Sequence, residues 1–266
     1  MSLELRDLRE RTLANNLVWL RSFGCDVRRE GEVVRVDNPE ARDYCALLLF
    51  AGARESFDAL RRCVGGEGAG SFPPNVYVDR QADGPDLRRL LTRKGCAKTS
   101  VSYVTAGEWG RAEAAADVSI RAAERSEVAQ WASAYSLGFG RGAGEGALDR
   151  QRWRLAFRHE AVRHWFFTRR DEVVGVCQTC DAHGVVGVYS FTLIHRERGL
   201  NPIHSAIRTL RAKLAERGRV TVYFERVKGG GRRPFLVGSR RLLTGFKVIR
   251  VAEGYQCDGA AKAADL

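Results

Sequence analysis

Between His164 and Ile194 three strand-like runs follow one another with almost no chain between them. His164–Thr168, Val173–Cys180 and Val185–Ile194 are rich in β-branched and aromatic residues, and polar turns at 170–172 and 181–184 separate them. Links that short favour an antiparallel meander, because parallel neighbours need a crossover of a dozen or more residues. The third run leads through a short loop into Pro202–Arg217, where Ile203, Ala206, Ile207, Leu210 and Leu214 form one apolar stripe and Gly218 ends the helix. Val220–Val227 then reads as a strand, Phe235–Leu243 as a short helix and Lys247–Val251 as a last strand. The fold class expected is α/β, a mixed and mostly antiparallel sheet flanked by helices.

The chain ahead of the meander is less sharply patterned. Leu3–Phe23 reads as a helix ending at Gly24, Glu32–Val36 and Tyr44–Phe50 as strands, and Ser56–Cys63 as a short helix. Asn75–Asp79 reads as a strand and Pro85–Lys94 as a helix closed by Gly95. Ala106–Ala116 has no clear period and is the expected linker. Beyond it, Asp117–Arg121 reads as a strand, Ser126–Leu137 as a helix with Ser126 as its N-cap, and Asp149–Glu160 as another helix. Arg88-Arg89-Leu90-Leu91-Thr92 recurs as Arg240-Arg241-Leu242-Leu243-Thr244, each copy on a short helix that meets a glycine before a strand. The repeat favours two related halves.

Charge is concentrated. The 266 residues carry a net charge of +12, yet residues 1–115 hold 18 basic and 17 acidic side chains. Residues 193–250 hold 15 basic and 3 acidic side chains, which is the whole excess. A local excess of this size points to a polyanionic partner, a phosphorylated donor or a nucleic acid. The seven cysteines are scattered, and the one close pair, Cys177 and Cys180, falls inside a strand where residues three apart face opposite ways. That argues against a metal pair, and the set reads as buried or free thiols in a reducing compartment. No run approaches the ~20 apolar residues of a membrane span. The first residues lack a charged-then-apolar leader pattern, so the expected setting is cytoplasmic, without a membrane partner.

The segment Val185–Ala206 carries the chemistry. A strand runs into His195-Arg196-Glu197-Arg198-Gly199-Leu200-Asn201-Pro202, and a helix starts at once. Such a turn aims several backbone N–H groups and a helix dipole at one point, and a glycine lets a phosphate come close. Arg196 and Arg198 add fixed positive charge.

This order of elements, together with Arg196-x-x-Gly199-x-Asn201, Asp117–Ala122 and Arg240–Phe246, resembles the GNAT acyltransferase superfamily over residues 116–255. Residues 1–110 resemble a degenerate second copy, as in tandem members, and 256–266 form a tail. The resemblance implies a GNAT acyltransferase fold in two related halves and transfer of an acyl group to an amine. It implies that the strand around Phe191 and Leu193 holds the acyl arm of an acyl-CoA, most simply acetyl-CoA. It also implies that Arg196, Arg198, Gly199, Leu200 and Asn201 hold the donor's pyrophosphate. Acceptor contacts, to a small-molecule amine, are expected from Phe139–Gly146.

Three departures shape the alternatives. The strand has no Asp or Glu, which leaves Glu225 on the next strand as the carboxylate for proton transfer, with Tyr189 and Tyr223 as alternative proton donors. Leu242 or Leu243 stands where the family often has a tyrosine, and Asn201 replaces a small residue in the loop. His204, Arg208 and Arg211 form a polar stripe on the helix and, with Lys228, Arg232 and Arg233, could follow a phosphate backbone. A second reading therefore keeps the reaction and replaces the CoA donor by an aminoacyl-tRNA, in which case no cofactor is needed. A third is a non-catalytic RNA- or anion-binding module.

Overall fold

The computed structural model describes residues 3–30, 33–38, 45–49, 56–58, 61, 74–80, 82–108, 113–140, 152–194, 200–215, 220–228 and 247–257. In chain order these form α1 (Leu3–Arg21), β1 (Asp26–Glu30), β2 (Val33–Asp37), β3 (Ala46–Leu49), β4 (Asn75–Asp79), α2 (Pro85–Arg93) and β5 (Cys96–Glu108). There follow β6 (Ser119–Ala122), α3 (Val128–Gly138), β7 (Val162–Arg169), β8 (Glu172–Ala182) and β9 (Val185–Leu193). The series ends with α4 (Leu200–Ala215), β10 (Val220–Lys228) and β11 (Lys247–Cys257). The expected repeat copy at 240–244 and the helix 235–243 lie outside the described residues.

The chain folds as two compact units, and these cut across the sequence halves. The first unit takes residues 1–24, 104–224 and 235–249; the second takes 25–103, 225–234 and 250–266. The expected boundaries, 1–110 and 116–255, differ from this at both ends. Residues of α1 join the unit that contains the meander, and the later part of β11 joins the other.

In the first unit the strands lie in the order β10-β9-β8-β7-β6. All neighbours are antiparallel except β9 and β10, which α4 links as parallel strands. The turns between β7, β8 and β9 place Arg170, Asp171, His183 and Gly184 at positive φ, the two-residue geometry that matches strand twist. On one face Ala206, Ile207, Leu210 and Leu214 of α4 pack on Trp165, Phe167, Cys177 and Val188. Each large member contributes roughly 1.5–3 kcal/mol by leaving water. Thr209 crosses that face with polar bonds, its Oγ1 donating to Val118 O at 3.0 Å and accepting from Ala115 N at 3.1 Å. Cys180 faces the other way, with Val162, Tyr189 and residues of α1. The strand reading of Cys177 and Cys180 therefore holds, and burial raises both thiol pKa values, that of Cys180 to about 12.

The second unit orders β1-β2-β3-β4-β11. It too runs antiparallel, antiparallel, parallel, with β3 and β4 as the parallel pair. This matches the succession β7-β8-β9-β10 and fits two related halves. Leu87 and Leu91 of α2 pack over Leu47, Leu49, Val76 and Val78.

Several local expectations change. Residues 96–108 form one long strand, so the first part of the expected linker is β5. Asp26–Glu30 pairs with β2 although its sequence is almost wholly polar. Ser126 is not an N-cap: a 3-10 turn, Arg125–Glu127, precedes α3, and Glu124 and Glu127 cap it reciprocally. Arg121 holds Glu127 in place at 2.7 Å, which outcompetes the serine hydroxyl. Cys96 and Cys257 are joined in a disulfide across 161 residues, which overturns their reading as thiols and removes that argument for a reducing compartment. Spacing along the chain gives no sign of such a long-range pairing. Among the described residues no helix is long and apolar enough to cross a membrane.

Candidate active site

The site is built around an irregularity in β9. Val185–Val188 pair in register with Val220–Tyr223 of β10, and the described pairing stops there. On the other side, β8 and β9 stay in register up to Gln178↔Tyr189 and resume at Val176↔Thr192. Two residues of β9, Ser190 and Phe191, therefore oppose the single Cys177, which is a β-bulge. Ser190 has φ +53°, a left-handed conformation that costs a residue with a side chain of order 1 kcal/mol or more. From Tyr189 onward β9 bends and, still paired with β8 at Thr192 and Leu193, runs past its described register with β10 towards the start of α4.

Side chains fix this bend from both faces. Leu193 is buried against Gly175, where a Cβ would lie 2.5 Å from Leu193 Cδ2. Thr192 fits against the C-terminal end of α3 only because residue 138 is glycine; a Cβ there would meet Thr192 Cγ2 at 2.4 Å. Phe191 is partly buried and rests on Phe167 at 5.4 Å between ring centroids.

Behind the strand lies α1. Asn15 is buried and shares its Nδ2 donors among the carbonyls of Cys180, Val185 and Ala182 at 2.9, 3.1 and 3.2 Å. Its Oδ1 accepts from Tyr189 Oη at 2.8 Å. One turn on, Trp19 stacks on Tyr189 with centroids 4.3 Å apart and donates through Nε1 to Gln178 Oε1 at 3.2 Å. Gly187 makes room for this contact, since a Cβ would lie 2.4 Å from Asn15 Oδ1. An aromatic group of Trp131, Tyr135, Trp153, Phe157 and His164 fills the space beside β7. Burial drives the His164 pKa down to about 3, so the imidazole is neutral at ordinary pH.

The residues expected from sequence fall into three groups. Phe191 and Leu193 sit at the bulge. Tyr189 is also there, but the residue is 4% exposed, its hydroxyl is bound to Asn15, and burial raises its pKa well above the usual tyrosine value. Tyr223 and Glu225 lie on β10, Tyr223 paired with Val188 and Glu225 two residues beyond. Arg196, Arg198 and Gly199 lie outside the described residues, as do Arg232, Arg233 and most of the Phe139–Gly146 loop. Leu200 and Asn201 open α4, with Pro202 in its first turn, where a missing N–H costs nothing. On α4, Arg208 is exposed and His204 and Arg211 are half-buried, while Lys228 ends β10. Among the described residues no group of three His, Cys, Asp or Glu could hold a metal.

Asn15, Trp19, His164, Gln178 and Ser190 were not expected at the site. A glutamine in the middle of an apolar strand and a glycine inside β9 are the sequence signals that could have found them.

No protein-family model matches the chain, and no curated protein matches it in sequence. Solved structures do match in shape. A GCN5-related N-acetyltransferase from Kribbella flavida is similar over 99% of this chain and 98% of its own, with a TM-score of 0.63 and 17% identity. A GCN5-related N-acetyltransferase from Sphaerobacter thermophilus is similar over 84% of this chain and 79% of its own, with a TM-score of 0.56 and 15% identity. A functionally unknown conserved protein from Staphylococcus epidermidis is similar over 87% of this chain and 93% of its own, with a TM-score of 0.62 and 10% identity. The chain therefore has the α/β GNAT acyltransferase fold, a mostly antiparallel mixed sheet flanked by helices, as its sequence pattern led one to expect.

Proposed function

We propose that this GNAT-fold chain is an N-acyltransferase that moves an acyl group from an acyl-CoA, most simply acetyl-CoA, to a small-molecule amine. The observation that carries the reading is the bulged strand β9, which leaves its register with β10 after Val188 and leads to the N-terminus of α4. Backbone groups freed from a ladder still need partners, and an extended acyl-pantetheine arm offers them. The helix start and Arg196, Arg198 and Gly199 would take the pyrophosphate.

In the reaction the amine nitrogen attacks the thioester carbonyl carbon, the C–S bond breaks, and the nitrogen loses one proton while the thiolate gains one. Backbone N–H groups of the bulge would stabilise the oxyanion. Glu225 is proposed to take the amine's proton. Tyr223 is the candidate donor to the thiolate, because Tyr189 already spends its hydroxyl on Asn15.

A second reading, an aminoacyl-tRNA donor, is favoured by one observation: the entire net charge of +12 falls within residues 193–250. Titration of the protein with acetyl-CoA and with charged and uncharged tRNA at two salt concentrations separates them. Tight, weakly salt-dependent binding of acetyl-CoA supports the first reading. Steeply salt-dependent tRNA binding without CoA binding replaces it by the second, and tRNA binding with no transfer leaves a binding module.

A further inference from the structure

A polar cluster sits directly behind the bulge, in a place where packing alone would have used apolar side chains. Gln178 is fully buried on β8. Its Oε1 accepts from Ser190 Oγ at 2.9 Å and from Trp19 Nε1 at 3.2 Å. Its Nε2 lies 2.7 Å from His164 Nε2. An amide nitrogen only donates, so His164 accepts at Nε2 and keeps its own proton on Nδ1. The ring is stacked on Phe157 at 3.7 Å, and its depressed pKa keeps this acceptor in place. Both ends of the carboxamide are thus spoken for, and Gln178, itself fully buried, cannot rotate without breaking these bonds.

What the cluster holds is the strained residue. Ser190 has its backbone in the left-handed region, which is what allows two residues of β9 to face one of β8. Left-handed serine persists only where its surroundings overdetermine it. The hydrogen bond from its hydroxyl to Gln178 ties this residue to the buried cluster.

We propose that Gln178 is a positioning residue for the acyl donor: braced by Trp19 and His164, it holds Ser190 left-handed and thereby sets the direction of the free backbone groups of β9. The inference rests on the acyl-transfer reading above. It makes α1 part of the site's support, through Trp19, although that helix lies far away in sequence.

The test uses the full chain and three variants, Gln178→Met, Ser190→Ala and the double variant Gln178→Met with Ser190→Gly. The first two remove the bond from opposite ends, and glycine adopts the left-handed conformation without strain. Amide hydrogen exchange across residues 189–194 is followed without ligand, and the KM for acetyl-CoA is measured separately from that of the amine. The single variants are expected to speed exchange at 189–194 by about tenfold. They are also expected to raise the KM for acetyl-CoA by about tenfold with the amine's KM unchanged. The double variant is expected to recover most of both. A packing role for Gln178 would not be rescued by deleting the Ser190 hydroxymethyl group, which touches it and whose loss would only enlarge the void. Ser190→Ala with wild-type exchange, or a double variant no better than Gln178→Met, overturns the proposal. Wild-type protein that binds no acetyl-CoA overturns the acyl-CoA reading instead, and the exchange pattern still decides whether the clamp exists.

Discussion

The two units share a succession of strands but hold it together by different chemistry. In the first unit ion pairs such as Arg121–Glu127 lie towards the surface, while the buried ties are neutral: Asn15 on three carbonyls and Tyr189, Gln178 on His164 and Ser190, Trp165 Nε1 on Thr179 Oγ1 at 2.9 Å. In the second they are covalent and ionic: Cys96 to Cys257, Arg250 to Asp79 at 3.2 Å, Lys98 to Glu253 at 2.5 Å. Neutral hydrogen-bonded groups fix direction without placing net charge in the interior, and β9 needs direction because it bends. The strands of the second unit run regularly, and ties that fix only proximity are enough there.

The sharpest way to break this contrast is Asn15→Leu. It removes one side chain that serves four partners, three of them through buried bonds, and each abandoned buried group costs ~1–3 kcal/mol, so a loss of about 4 kcal/mol is expected. Urea unfolding should show the loss, with hydrogen exchange rising in β8 and β9 and unchanged in β1–β4. Rising exchange in both units alike would mean that the Asn15 bonds do not stabilise the first unit in particular.

Replacing Cys96 and Cys257 together by serine should act on the other unit. The bond closes a loop of 161 residues, and its removal is expected to cost about 2–4 kcal/mol. A reducing agent should reproduce the shift in the wild-type protein and do nothing to the variant.

His164 gives the first unit a pH dependence of known sign. The folded-state pKa, about 3, lies below the ordinary histidine value of 6.5, so the unfolded chain binds the proton more readily. Stability is unaffected above roughly pH 6.5 and falls as pH drops from there towards the folded pKa, by at most about 1.4 kcal/mol per pH unit. In urea melts from pH 7 to 4.5, His164→Gln should flatten that part of the slope. An unaltered slope would show that the ring is not held neutral by burial. At the far end, Arg89→Ala breaks an ion pair whose side chains are 70% and 73% exposed, and the expected change is less than about 0.5 kcal/mol.

Much of the first unit could be read along the chain. The meander, the amphipathic stripe of α4 and the strand–loop–helix order appear where periodicity put them, within two or three residues. These signals are local: the β-branched and aromatic runs of β7–β9, buried on both faces, and the spacing 206, 207, 210 and 214 on α4 report burial directly. Elements that carry no pattern of their own were read poorly. β1 is Asp-Val-Arg-Arg-Glu and has no strand pattern of its own; it exists because β2 offers a ladder. Ser126 looked like a cap, but Arg121 on β6 positions Glu127 to do that work.

The candidate site divides in the same way. Phe191 and Leu193 were found because a strand ending before a helix is visible in sequence, whereas Ser190, Gln178 and Trp19 were not, since their roles depend on atoms more than ten residues away. Tyr189 was found as a tyrosine on the right strand, and only its contact with Asn15 shows where its hydroxyl is directed.

The sequence by itself determined the element types, the GNAT order of the meander and helix, and the confinement of net charge to residues 193–250, because each depends on neighbours along the chain. Tertiary structure alone decided that α1 belongs with the meander, that Cys96 meets Cys257, and that β9 bends at Ser190. Those outcomes are set by hydrogen bonds, a covalent bond and close packing between residues that only folding brings together, and no local pattern encodes which distant partner a buried polar group will find.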